Sequence, residues 1–217
     1  MNRITVIAGH FGSGKTEFAV NYAFRLKEQF DKVTIVDMDT VNPYFRTKDA
    51  KDALEQKGIN VIVPEFANSN LDIITIPSEV LSVFADDGCH AIIDVGGDDE
   101  GATVLGMFNR YLLECGYEMF LVLNSRRPFT ETVDDTVDMI NAIEYTSKLK
   151  FTGIVSNSNL MEYTTPEIVA EGEELSESVS EKTGIPLKFI SATGETSGFI
   201  RNKDKHFKLD FYIKKPF

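Results

Sequence analysis

The sequence predicts an α/β fold, a doubly wound and mostly parallel sheet with helices on both faces, formed as a single domain over residues 1–217. Two observations carry that expectation. Short apolar runs without polar alternation take turns with longer amphipathic segments, as expected of strands buried on both faces and joined by covering helices. A glycine-rich octapeptide ending in Lys-Thr lies between the first apolar run and the first amphipathic segment.

In chain order, the strand candidates are residues 4–8, 33–36, 61–63, 91–94, 119–123, 153–155 and 187–190. Phe18, Tyr22, Leu26 and Phe30 recur every fourth residue after the first strand and place an apolar stripe along one helix face. Further helices are expected at 51–56, 78–84, 102–113, 132–145 and 166–182. At the end, Lys203, Lys205, Lys208, Lys214 and Lys215 interleave with Phe207, Leu209, Phe211 and Ile213. That period of two reads as an extended edge segment guarded by lysines, with a partner-binding or membrane-surface tail as the alternative.

Composition narrows the function. With 42% hydrophobic and 26% charged residues, the chain can bury a substantial core. A formal charge of -12 argues against binding bulk nucleic acid or an anionic membrane. Cys89 and Cys115 are too few and too far apart for a disulfide framework or a metal cluster, and read as thiols in a reducing cytoplasm. No apolar run approaches the ~18 residues of a membrane span, so a soluble cytoplasmic protein is expected.

Gly9-His10-Phe11-Gly12-Ser13-Gly14-Lys15-Thr16 satisfies G-x-x-x-x-G-K-[ST] in the strand-to-helix context that the chemistry needs. Phosphate oxygens require several inward-turned backbone N–H groups, which glycines permit, and the helix start adds a positive end. Lys15 then bridges the β- and γ-phosphates, and the Thr16 hydroxyl takes one position on Mg²⁺. An NTPase also needs a carboxylate for the metal hydration shell and a group that orients the attacking water. Asp37 and Asp39 follow a strand with the spacing that points both the same way. Asp94 closes the run Ala91-Ile92-Ile93, and Gly96-Gly97 behind it can bring an amide close to a terminal phosphate.

Together, G-H-F-G-S-G-K-T, D-M-D-T-V-N-P-Y-F-R and I-I-D-V-G-G resemble the MinD and ParA branch of P-loop ATPases, which includes the CobQ/CobB-type nucleotide-binding domains. The resemblance covers most of the chain. It implies a nucleotide site of Gly9, Gly12, Ser13, Gly14, Lys15, Thr16, Gly97 and Asn157, a metal site of Thr16, Asp37, Asp39 and Asp94, and catalysis by Lys15 and Asp39. Asp39 orients the attacking water, Asp37 and Asp94 hold metal-bound waters, and the Gly97 amide meets the γ-phosphate. That branch carries a second lysine directly after the first loop glycine, which reaches the partner's nucleotide in a homodimer. Here the position is His10, followed by Phe11, so His10 is either a weaker substitute cation or a locally packed loop residue. Arg126 and Arg127 are alternative cations or plain surface residues.

No N-K-x-D element for guanine is present. Asn157, at a strand end where related ATPases contact adenine, is either a base contact or a turn residue, Asn159 is a lesser candidate, and residues 191–194 are expected to form the other wall of the base pocket. Asp98-Asp99-Glu100 is either favourable charge at a helix start or a docking point for a partner, and residues 42–46 are either a contact patch or a lid. The expected function is an ATP- and Mg²⁺-dependent switch or slow ATPase acting on a protein partner. The alternatives are an ATP-using small-molecule ligase or kinase and a nucleotide-binding module that does not hydrolyse.

Overall fold

The computed structural model describes residues 2–39, 50–63, 78–97 and 99–213. Its strands are β1 (Ile4–Ala8), β2 (Val33–Met38), β3 (Asn60–Ile62), β4 (His90–Val95), β5 (Tyr117–Leu123), β6 (Gly153–Ser156), β7 (Leu187–Ala192) and β8 (His206–Lys208). They form one 8-stranded sheet in the order β3-β2-β4-β1-β5-β6-β7-β8. Every pairing is parallel, so the expected "mostly parallel" sheet is wholly so. The helices are α1 (Lys15–Lys27), α2 (Lys51–Gln56), α3 (Ser78–Ala85), α4 (Asp99–Cys115), α5 (Val133–Ser147) and α6 (Pro166–Thr183).

Side-chain parity along the strands sorts the core into two faces. Val6, Val36, Ile93 and Leu121 point to the face covered by α3, α4, α5 and α6. Ile7, Ile35, Ile92 and Phe120 point to the face covered by α1 and α2. On that second face Phe18 and Tyr22 of α1 pack in an aromatic cluster with Phe120, Phe189 and Phe207, with ring centroids 4.8–6.3 Å apart. The chain leaves β1 towards β2 and β3 on one side, returns as β4 beside β1, and then builds β5 to β8 on the other. The end of β1 is therefore the switch point where α/β sheets open a crevice.

Several bounds move from their sequence-based positions for local reasons. Thr132 and Thr165 sit just outside α5 and α6 and accept from Asp135 N and Ile168 N as N-caps. Phe30 lies outside α1, which ends at Lys27, and stacks on His90 with centroids 3.5 Å apart. The lysine-guarded edge segment is correct only over His206–Lys208: Lys203–Lys205 forms a 3-10 turn, and residues 209–213 leave the sheet. Lys214 and Lys215 lie outside the described residues.

The C-terminal crossing is held by a buried carboxylate. Glu173 of α6, 0% exposed, accepts from Arg201 N at 2.9 Å and Asn202 N at 2.8 Å. Glu173→Ala orphans both amides, and urea unfolding is expected to show a loss of about 3 kcal/mol, the range for charge-assisted bonds to buried donors. A loss under ~1 kcal/mol would mean that water replaces the carboxylate.

Candidate functional site

The loop between β1 and α1 is shaped by its glycines. Gly14 is the N-cap of α1 in the left-handed region, with φ of 87°, and a Cβ there would sit 2.3 Å from Asn157 Nδ2. Gly97, after β4, approaches the same loop so closely that a Cβ would lie 2.5 Å from Phe11 N and 2.7 Å from Gly9 O. The two glycine segments thus meet backbone to backbone, bringing Gly97 to the cradle. Lys15 is buried and donates from Nζ to His10 O at 3.2 Å. Ser13 is fully buried, and its hydroxyl has no hydrogen-bond partner.

Behind the loop stand the carboxylates. Asp37 and Asp94 are cross-strand partners in the β2–β4 register, and both have the parity of the face covered by α1. Asp94 is 0% exposed and neither of its oxygens makes a well-formed hydrogen bond. Burial pushes its pKa up to about 8; the Asp37 carboxylate adds to the rise, while Lys15 and the nearby Thr16 hydroxyl oppose it. Asp39 donates its backbone N–H to Asp37 Oδ1 at 3.1 Å and lines the adjoining cavity. Among the described residues no group of three or more His, Cys, Asp or Glu side chains can hold a metal directly. The donor set suits Mg²⁺ carried on phosphate oxygens and water, with Thr16 as the direct protein ligand and the carboxylates behind. A fully buried carboxylate without a well-formed hydrogen bond, beside a threonine hydroxyl at a helix start, fits that ion.

The loop opens into a cavity of about 500 Å³. Its lining includes Gly12, Gly14, Lys15 and Thr16, and its apolar walls come from two segments, Leu160, Met161 and Tyr163 and then Leu209, Phe211 and Ile213. The second wall corrects the sequence-based expectation for residues 191–194. Ser191 instead turns inward and donates to Asn157 Oδ1 at 2.6 Å. Asn157 is 2% exposed and donates from Nδ2 to Ser13 O at 2.7 Å, so its amide ties the loop to β7, while Asn159 also faces the cavity.

The C-terminal wall is the feature that sequence reasoning missed. Glu17 accepts from Tyr212 N at 2.7 Å and Ile213 N at 3.3 Å, and Asn21 exchanges hydrogen bonds with the Asp210 backbone, 2.9 Å each way. Burial raises the Glu17 pKa to about 7 against the two backbone donors, which lower it. The only sequence signal was a Glu and an Asn four residues apart at the start of an amphipathic helix.

His10 takes the local role: Nδ1 bonds to Phe11 O at 3.0 Å, and the ring packs on Phe129 with centroids 5.5 Å apart. Arg127 donates from Nε to Gly12 O at 2.9 Å and lines the cavity, whereas Arg126 is drawn away into an ion pair with Glu171. Residues 42–46 and Asp98 lie outside the described residues, as do the side chains of Asp99 and Glu100.

No protein-family model and no curated protein matches the sequence. Solved structures do match. Chloroplast FtsY from Physcomitrella patens superposes with a TM-score of 0.57 at 17% identity, over 93% of this chain and 60% of that one. Signal recognition particle receptor FtsY from Elizabethkingia anophelis, in complex with GDP, gives 0.55 at 18%, over 88% and 57%. FlhF complexed with GMPPNP and Mg²⁺ gives 0.53 at 17%, over 87% and 65%. The fold is that of P-loop NTPases. The chain spans about three fifths of the length of these proteins, and at such identities the likeness is one of fold. The finer resemblance to MinD and ParA is not reproduced in these matches, which are FtsY and FlhF proteins. Among the described residues no helix is long and apolar enough to cross a membrane.

The raised pKa of Asp94 has a consequence for stability. A folded-state pKa of about 8 against 3.8 unfolded means that the folded protein binds the extra proton. The stabilisation is complete below 3.8 and is lost as pH rises through about 8. Without metal or nucleotide, Asp94→Asn is therefore expected to melt about 5 °C above wild type at pH 8 and level with it near pH 4. A difference that stays constant across pH would remove burial of this charge as the cause.

Proposed function

We propose that the chain is a Mg²⁺-dependent nucleoside-triphosphate switch that hydrolyses its nucleotide slowly and acts on a protein partner, with ATP as the nucleotide. One observation carries the reading: Lys15, Thr16, Asp37 and Asp94 converge from three elements behind a glycine loop that opens into a nucleotide-sized cavity. The nucleotide supplies the phosphoanhydride to be cleaved, and Mg²⁺ neutralises charge on its phosphates. The loop amides and the start of α1 take the phosphate oxygens, and Lys15 turns from His10 O to offset their charge. Thr16 and the ionised Asp94 and Asp37 hold the metal and its waters. Asp39, at the cavity wall, accepts a hydrogen bond from the attacking water and fixes its direction.

ATP is favoured because the loop after β6, running Asn157-Ser158-Asn159-Leu160, carries neither the lysine nor the aspartate of a guanine-reading N-K-x-D. A guanine reading has specific observations behind it too. FtsY and FlhF are similar in fold and were solved with GDP and GMPPNP, and the Glu162 carboxylate lines the cavity, where it can accept from the guanine N1–H and N2–H groups.

Calorimetry tests the cradle. Wild type should bind ATP·Mg²⁺ and prefer it to GTP in competition, and Lys15→Ala should lose affinity by at least about 100-fold, a charge-assisted contact to phosphate being removed. Unchanged affinity in the variant would remove the cradle; preferential binding of GTP would transfer the assignment to the guanine reading. Chemistry separates from binding at Asp39: Asp39→Asn should keep nucleotide and Mg²⁺ bound while turnover falls about 10²- to 10⁴-fold. Wild-type turnover in that variant would leave the protein a binder whose hydrolysis runs through another group.

A further inference from the structure

We propose that residues 210–213 form the lid of a nucleobase subsite, in which Phe211 supplies the stacking face for the base whose phosphates the glycine loop holds. The inference rests on the nucleotide reading above and goes beyond it to the residue that recognises the base.

The segment is aimed at the loop. Asp210 is tied to Asn21, and Tyr212 and Ile213 to Glu17, one helical turn nearer the start of α1. The C-terminal segment therefore runs beside α1 towards its phosphate-binding end. Alternation then decides which side chain faces where. Tyr212 packs on Phe24 of α1, ring centroids 4.6 Å apart, while Leu209, Phe211 and Ile213 line the cavity at every second position. Of these three, Leu209 is buried and Phe211 is 53% exposed. Tyr163, 74% exposed, lines it too. Two exposed aromatic side chains in the cavity that holds the phosphate cradle offer flat apolar faces to a base. No fold-stabilising burial accounts for Phe211, because the core on this side is filled by Phe18, Phe189 and Phe207. Asn157 adds to the argument: its amide is engaged by Ser13 and Ser191 and its side chain is 2% exposed, so the apolar walls offer the larger face to a base.

The experiment compares a nucleotide with a ligand that has phosphates and no base. Wild type, Phe211→Ala, Phe211→Tyr and Asn21→Ala are titrated by calorimetry with Mg²⁺ and, in turn, inorganic tripolyphosphate and whichever of ATP and GTP wild type binds more tightly. Wild type is expected to bind the nucleotide better than tripolyphosphate. Phe211→Ala should weaken nucleotide binding about tenfold, the usual loss for one base–aromatic stack, and leave tripolyphosphate binding as in wild type. Phe211→Tyr should restore nucleotide affinity, and Asn21→Ala, which unties the lid, should follow the Ala variant. Should Asn21→Ala melt early, Phe211→Ala still decides, since the Phe211 side chain is 53% exposed and belongs to neither core cluster. Wild-type nucleotide affinity in Phe211→Ala would overturn the proposal, as would an equal loss of tripolyphosphate affinity. A wild type that binds nucleotide no better than tripolyphosphate would overturn the subsite and leave the cradle standing; one that binds neither would overturn both.

Discussion

A carboxylate buried in a parallel sheet without well-formed hydrogen bonds is costly to keep ionised, and the architecture around Asp94 is arranged about that cost. β4 lies between β2 and β1, so no water reaches Asp94 from either side of the sheet. Relief has to come from the end of the strands. Lys15 and Thr16 provide part of it, which requires α1 to begin directly above β4, and that in turn requires a left-handed Gly14 against Asn157 and a side-chain-free Gly97 against the loop. Each of these features looks like a local oddity by itself. Together they gather a buried carboxylate, a lysine and two close glycine contacts at one point, the arrangement on which the proposed metal and phosphate site rests.

The same chemistry recurs at the far end of the chain for a different purpose. Glu173 and Glu17 each receive two backbone N–H groups from the C-terminal segment, first at Arg201 and Asn202 and then at Tyr212 and Ile213. A carboxylate satisfies two amides where an edge strand would have left them to solvent. That explains why β8 is only three residues long and why the tail departs from the sheet at Leu209. The second clamp sits one residue beyond Thr16, so the end of the chain is fastened to the helix that begins the phosphate site.

How much of this could be read in advance depends on whether the determinant is periodic. Strands β1, β2, β4, β5, β6 and β7 announce themselves because burial on both faces demands unbroken apolar runs, and Asp37, Asp39 and Asp94 could be grouped because parity along a strand is a rule of period two. The sheet order was not legible, since it depends on which helices cover which face. Asn157 illustrates the boundary within the site: its position at the end of β6 was readable, but its amide turns down to Ser13 and Ser191, a choice made by packing. The Glu17 and Asn21 clamp joins residues nearly two hundred positions apart and has no local pattern.

The division between the phosphate end and the base end follows from what does the reading. Phosphate is met by backbone amides, a lysine and a helix start, which demand glycines at fixed spacing and hence leave a motif. The superposition on FtsY and FlhF at 17–18% identity is consistent with this, because a fold built around backbone-to-backbone contacts constrains few side chains. In the proposed subsite the base is met by side chains on two short segments, the turn Met161–Tyr163 and residues 209–213, neither of which is part of the sheet's hydrogen-bonded frame beyond the contact of Leu209 N with Ala192 O at 2.8 Å. Such segments can change without disturbing the cradle. Fold likeness therefore says nothing of the base, and the proposed base site has to be argued from Asn159, Glu162, Tyr163 and Phe211 as they stand here.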